Sequence, residues 1–141
     1  MASILKVDAM QGVTSAGDIT ITSEGGAATQ SLQQGLAKVW ANIDGTGTIG
    51  LRDSLNVSSL TDDGTGAYDT SFSNNFSNII YCALGCPKEN TTGSRTSDVD
   101  RVFHPARLPY TTSACAWLAQ RYDGIDADVD EAYPLILGDL A

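Results

Sequence analysis

The densest group of carboxylates in this sequence consists of Asp123, Asp126, Asp128 and Asp130. Alternate residues of a strand share one face, so the carboxylates of Asp126, Asp128 and Asp130 would stand in line and repel one another unless solvent or a bound cation screens them. An EF-hand is excluded, because Glu131 stands where that loop needs glycine and Leu137 stands where it needs glutamate. A solvated acidic face is therefore favoured, and a calcium site with these three ligands is the alternative.

The cysteines are the next residues with metal or redox chemistry. Cys82 and Cys86 stand in a C-x3-C spacing, and Cys115 stands alone. A Cys3His zinc site would need His104, the only histidine, as its fourth ligand, but the spacing matches no ordinary zinc finger or knuckle. An odd number of cysteines argues against a disulfide framework. We expect free thiols that pack as small hydrophobic groups.

The sequence contains no complete catalytic or phosphate-binding motif. A hydrolytic triad needs a base beside its nucleophile, but His104 is followed by a proline and no serine lies in a nucleophile-elbow motif. The two Gly-Thr-Gly segments, 45–47 and 64–66, lead into neither a helix nor a Gly-Lys-Ser/Thr, so they are predicted to be turns between strands. The sequence therefore predicts neither an enzyme nor a bound cofactor.

Aromatic residues offer one candidate ligand site. Trp117, Tyr110 and Tyr122 are of the types that form a sugar-stacking platform. Aromatic residues at strand spacing usually pack inward, so a core position is favoured for Trp117 and also for Trp40. The glycan platform is kept as the alternative.

Composition limits the kinds of protein that this chain can be. Its 141 residues suit one ordinary domain, and 42% hydrophobic residues are too many for a charged disordered tail. A net charge of −9 would repel phosphate backbones and anionic lipid, which argues against nucleic-acid binding. Because no apolar run approaches the roughly 18 residues that span a bilayer, and the first eight residues lack signal-peptide features, we expect a soluble protein without membrane insertion.

The elements that must position these residues are predicted to be strands. The chain holds 27 serine and threonine residues and 14 glycines, which favour strands and turns over helix interiors. Apolar runs recur at about ten-residue spacing, so the predicted fold is an all-β, antiparallel β-sandwich over residues 36–141. The predicted strands are 36–43, 48–57 with a bulge at Arg52-Asp53, 67–72 with Tyr68 and Phe72 on one face, 79–84, 111–122, 123–130 and 133–137. Residues 101–110 are predicted to be irregular or an edge strand.

The first 35 residues differ from the rest. They contain short apolar stretches, including candidate strands at 3–7 and 18–22, broken by glycine, serine and threonine. Too few large apolar side chains are present to form a core. We therefore expect residues 1–35 to be an extended arm that docks on the rest of the chain, on a sister subunit or on a larger assembly.

Two stretches carry a resemblance to a known family. They are KVWANIDGTGTI at 38–49 and RDSLNVSSLTDDGTG at 52–66, accompanied by ILKVDAMQ at 4–11 and by Leu137-Gly138-Asp139. This pattern resembles small tail-fibre-like virion structural proteins of tailed bacteriophages, in particular those of phages from aquatic bacteria. The resemblance covers the opening, about 50 residues in the middle and the last few residues.

The resemblance implies a virion structural protein without enzymatic activity, located on a tail fibre or on the particle surface. It further implies a homotrimer that binds other virion proteins through its arm, with the loops between about 87 and 110 facing host surface glycans. A capsid decoration (cement) protein is the main alternative, since the chain is too short to contain a fibre shaft. A sugar- or calcium-binding enzyme domain is a third interpretation, which depends on the aspartate cluster alone.

Overall fold

Regular structure in the computed structural model consists of β-strands throughout the residues it describes, which are 5–13, 19–22, 26, 28–88, 101–106 and 110–141. The all-β prediction is confirmed for this part of the chain. The strands, in chain order, are β1 Thr20–Thr22, β2 Thr29–Ser31, β3 Val39–Asp44, β4 Gly50–Leu55, β5 Val57–Gly64, β6 Ala67–Phe72, β7 Cys82–Lys88, β8 Arg101–Pro105, β9 Ala114–Arg121 and β10 Glu131–Leu137. They form three antiparallel sheets within two units, Met1–Leu36 and Ala37–Ala141.

The first unit contains one small sheet. Strands β1 and β2 pair antiparallel with Ile21 opposite Gln30, and the amide of Leu32 donates to the carbonyl of Ile19 at 2.7 Å. The strand predicted at 18–22 is thus confirmed over its last three residues, whereas the described residues 5–7 of the other candidate lie outside any strand. Among the described residues of this unit none is a buried hydrophobic side chain, and Leu5 and Val13 are largely exposed.

The second unit consists of two four-stranded sheets. Their strand orders are β4-β3-β10-β7 and β5-β6-β9-β8. Burial alternates with period two along β3, β6 and β9, which places every second side chain against the opposite sheet. The inward side chains form one core, so the unit is sandwich-like. Buried members of this core include Val39, Ile43, Tyr68, Phe72, Trp117, Ala119 and Ile136.

Trp117 lies at the centre of this core with 1% of its surface exposed. Its ring stacks on Phe103 with a centroid separation of 5.3 Å and an interplanar angle of 12°. The indole Nε1 donates to Thr70 Oγ1 at 2.9 Å, and that hydroxyl donates to the carbonyl of Cys115 at 3.1 Å. Burial raises the pKa of the Cys115 thiol to about 12, so this thiol stays protonated.

The bulge predicted at Arg52-Asp53 is confirmed. The β3–β4 register shifts between Asn42, which faces Asp53, and Ile43, which faces Leu51, so Arg52 is the extra residue. The single strand predicted at 48–57 is divided into β4 and β5 at Asn56. This residue has a φ of 60°, and its side-chain oxygen accepts a hydrogen bond from the Asn74 amide at 2.7 Å.

The turn predicted at 64–66 is also confirmed, and Gly66 shows why it needs glycine. Gly66 has a φ of 68° and donates its amide to Asp128 Oδ1 at 2.7 Å. A Cβ at this position would lie 2.5 Å from the Ala119 carbonyl oxygen and 2.7 Å from the Ala127 nitrogen. Both the backbone conformation and the neighbouring backbone therefore exclude a side chain.

One predicted strand is confirmed only over its last three residues, and another is wrong. The apolar run at 79–84 was expected to be a buried strand, but β7 begins at Cys82, and Ile80 is 88% exposed. The amide of Ile80 bonds instead to Asn78 Oδ1 at 2.7 Å, which places it in a turn. Residues 123–130 form no strand either, and their one described strand-like contact is the isolated bridge between Gln120 and Asp126.

Candidate functional site

Two aspartates of the alternative calcium site, Asp126 and Asp128, bind partners within the protein. Asp126 Oδ1 accepts a hydrogen bond from Gln120 Nε2 at 2.8 Å, and Asp128 Oδ1 accepts one from the Gly66 amide at 2.7 Å. The segment is not a strand, so Asp126, Asp128 and Asp130 do not share one strand face. Within the described ranges no three His, Cys, Asp or Glu side chains are arranged to hold a metal ion.

The candidate zinc ligands lie on different surfaces. Cys82 and Cys86 are exposed on β7, whereas Cys115 is buried in the opposite sheet, and all three are free thiols. His104 lies on β8, where its Nε2 is 3.2 Å from Gln120 Oε1 and its Nδ1 is 2.9 Å from the Pro105 carbonyl. The structure therefore does not bring these four residues together.

The three aromatic residues of the alternative glycan platform are also separated. Trp117 is a core residue, as the favoured interpretation predicts, and cannot present its face to a ligand. Tyr110 precedes β9 and Tyr122 follows it, so that about 26 Å of strand lies between them. Tyr110 packs edge-on against Tyr81 at 5.5 Å, and Tyr122 is 67% exposed.

Trp40 was expected to be a core residue, and this prediction is wrong. Val39, Ala41 and Ile43 point into the core, so Trp40 lies on the opposite side of β3, where it is partly exposed. The sequence does carry the signal for this arrangement. Asn42 and Asp44 alternate with the apolar residues and share their side of the strand with Trp40.

Trp40 is part of an apolar row that crosses one sheet. We use "the outer face" for the surface of sheet β4-β3-β10-β7 that points away from the core. On it Leu55 pairs with Trp40, Trp40 pairs with Leu135, and Leu135 pairs with Leu84. Leu84 and Leu55 are 53% and 45% exposed. The row is therefore a continuous apolar surface that spans all four strands.

A shallow groove lies along this row. It has a volume of about 350 Å³. The side chains that line it are apolar or aromatic apart from one thiol, and they include Trp40, Leu84, Cys86, Tyr133 and Leu135. Such a groove suits contact with another apolar surface better than binding of a charged ligand.

A row of charges borders the apolar row on the same face. Arg52 lies 2.9 Å from Asp44 and 3.0 Å from Glu131, while Lys88 lies 2.7 Å from Glu131. Tyr133 donates its hydroxyl to the second oxygen of Glu131. The hydrogen bonds from Lys88 and then from Tyr133 hold the pKa of Glu131 at about 2, below its ordinary value of 4.5.

Comparison with known protein families, curated proteins and solved structures finds no match for this chain. The described residues of the outer face supply a broad apolar contact area and paired charges. Among the described residues there is also no helix long and apolar enough to cross a bilayer.

The ion pairs of Glu131 predict a pH dependence of stability. The carboxylate is charged in both folded and unfolded chains above pH 4.5, so its stabilising effect is complete there and is lost as the pH falls from about 4.5 to about 2. Glu131→Gln is therefore expected to be less stable than the wild type at pH 7, by an amount that shrinks through this range. Urea denaturation midpoints measured from pH 7 to pH 2.5 test this prediction.

Asp8→Asn is the matched control, because it makes the same change of charge at an exposed position outside the strands. It is expected to keep the pH dependence of the wild type. A constant difference between Glu131→Gln and the wild type across the whole pH range would contradict the assigned role of Glu131.

Proposed function

We propose that this chain is a virion structural protein of a tailed bacteriophage, in the form of a short tail-fibre or tail-tip module that contributes to attachment to the host surface. The resemblance of residues 38–49 and 52–66 to such proteins carries the proposal. These residues run through β3, β4, β5 and the turn that ends at Gly66, so the resemblance follows one continuous piece of the fold.

In this proposal the protein is an antiparallel β-sandwich with an extended N-terminal arm of residues 1–35, and it assembles as a homotrimer. The exposed apolar side chains of Leu5, Val7 and Met10 support an arm that binds other virion proteins. The loops between about 87 and 110 face host glycans. Residues 89–100 and 107–109 of this region lie outside the described residues.

The second candidate is a capsid decoration (cement) protein whose arm lies across capsid subunits. The exposed apolar side chains of Leu5, Val7 and Met10 favour it too, because an arm of this kind binds neighbouring subunits. In both roles the protein is located on the virion, acts without a cofactor and is not an enzyme. Its net charge of −9 suits a surface that does not bind nucleic acid.

The copy number per virion distinguishes the two candidates. We expect quantitative mass spectrometry of purified virions to find this chain at a few per cent or less of the major capsid protein, the ratio for a tail or vertex location. A ratio comparable to that of the capsid protein would assign it to decoration of the head. Complete absence from purified virions would overturn both candidates.

A further inference from the structure

The two sheets of the sandwich differ in their outward side chains. Outward positions at the centre of sheet β5-β6-β9-β8 are mostly small or polar, with Asp69, Ser71 and Ala116 on β6 and β9, and Leu118 on β9 is the large apolar exception. That composition is usual for an antiparallel sheet with one solvated face. The outer face of the first sheet instead presents the row of Leu55, Trp40, Leu135 and Leu84. A continuous exposed apolar surface of this kind marks a contact site.

We infer that the outer face is the surface through which copies of this chain associate. This inference rests on the proposed function, which requires an oligomer, and it adds the residues that form the interface. The occupant of the groove beside Trp40 and Leu84 is thus the outer face of a second copy, and in the proposed homotrimer the three outer faces meet around the three-fold axis.

The distribution of charge favours a second copy over a partner of different chemistry. The chain carries a net charge of −9, so two copies repel each other over most of their surface. On the outer face Arg52 and Lys88 pair with Asp44 and Glu131, which leaves Asp53 as the uncompensated carboxylate among these strands. A basic partner would be attracted to the acidic remainder of the surface rather than to this face.

The area of the face sets the strength expected of the contact. Four strands about 4.8 Å apart and six residues long cover roughly 19 by 20 Å, or about 400 Å² per copy in projection. Each copy therefore buries about 400 Å², which is below the roughly 800 Å² per partner of a standard stable interface. The association is therefore expected to be weak and concentration-dependent in solution, and stronger where a particle holds several copies close together.

The test measures the molar mass of the full chain by sedimentation equilibrium over a wide concentration range. We expect the wild type to exceed the mass of one chain as its concentration rises, and Leu84→Asp to weaken this association at least tenfold. Val102→Asp is the matched control. Val102 lies on β8, at the edge of the other sheet, and is 51% exposed against 53% for Leu84. This variant should associate as the wild type does.

Thiol cross-linking provides a second measurement, which is made on the wild-type chain with its own cysteines. Cys86 lines the groove and Cys82 is exposed on the same strand, whereas Cys115 is buried. A short bismaleimide is expected to join copies of the wild type covalently and to fail with a variant in which Cys82 and Cys86 are both replaced by serine. Near-ultraviolet circular dichroism of every variant verifies that the fold is retained.

Three results would overturn the inference: a single-chain mass at every concentration, an equal effect of Leu84→Asp and Val102→Asp, or the absence of cross-linked species in an associating sample. These results are separable from the proposed function. If the chain is present on virions but Leu84→Asp does not weaken its association, the virion role is retained and this interface is contradicted. If the chain is absent from virions but associates through the outer face, the interface is retained and the virion role is contradicted.

Discussion

Replacement of Trp117 with alanine is expected to lower the free energy of unfolding by about 3–5 kcal/mol. The indole is 1% exposed and stacks on Phe103, so its removal leaves a large cavity between the two sheets. It also leaves the Thr70 hydroxyl without the indole donor. Because domains are stable by only about 5–15 kcal/mol, this one substitution removes a large part of the total. Urea denaturation followed by far-ultraviolet circular dichroism measures the loss.

Trp117→Phe is the matched control. It keeps an aromatic ring against Phe103 but lacks the Nε1 donor to Thr70, so it is expected to lose less stability than the alanine variant. The pair also distinguishes a core role from the sugar platform. If Trp117→Ala bound a host glycan less well while unfolding at the same urea concentration as the wild type, the core assignment would be contradicted.

Gly66→Ala is expected to lower the free energy of unfolding by about 2–4 kcal/mol, the second largest effect expected of a single substitution. The left-handed conformation costs an alanine about 1–2 kcal/mol, and the added Cβ would press on the backbone of Ala119 and Ala127. These neighbours belong to β9 and to the segment before β10, so the strain cannot be relieved by rotating one side chain.

Gly47 allows the cost of the left-handed conformation to be measured without the crowding of an added Cβ. It has a φ of 61°, close to the 68° of Gly66, but a Cβ placed on it would have no heavy atom within 4 Å. Gly47→Ala is therefore expected to lower the free energy of unfolding only by the cost of the left-handed conformation, about 1–2 kcal/mol. Equal losses of stability in the two variants, measured by urea denaturation, would show that the crowding at Gly66 has no energetic effect.

The sequence predicts the interior strands well because their alternation is local. Tyr68 and Phe72 share the buried face of β6, and Cys115 and Trp117 share that of β9, as the spacing of these residues predicts. The bulge at Arg52 is predictable too, since a change of phase in a strand pattern is visible within a few residues.

The predictions from sequence fail where the structure of a segment depends on which strand lies beside it. Hydrophobicity alone does not distinguish Ile80 from Leu84, yet only Leu84 has a partner strand in β10. The outer face was not predicted for the same reason: Trp40 and Leu135 are adjacent across β3 and β10 although they lie far apart in the chain. β2 was missed because Thr29–Ser31 contains no large apolar residue.

The position of β10 in its sheet has a consequence for the order of folding during synthesis. β10 lies between β3 and β7 but is translated after the other nine described strands. Until residues 131–137 are made, β3 and β7 each have an unpaired edge, which is a template for pairing with other chains. Closure of this sheet also requires contacts between distant residues, which form slowly. A nascent chain is therefore most prone to aggregate just before β10 emerges, and this sheet is completed only after residues 131–137 have been synthesised.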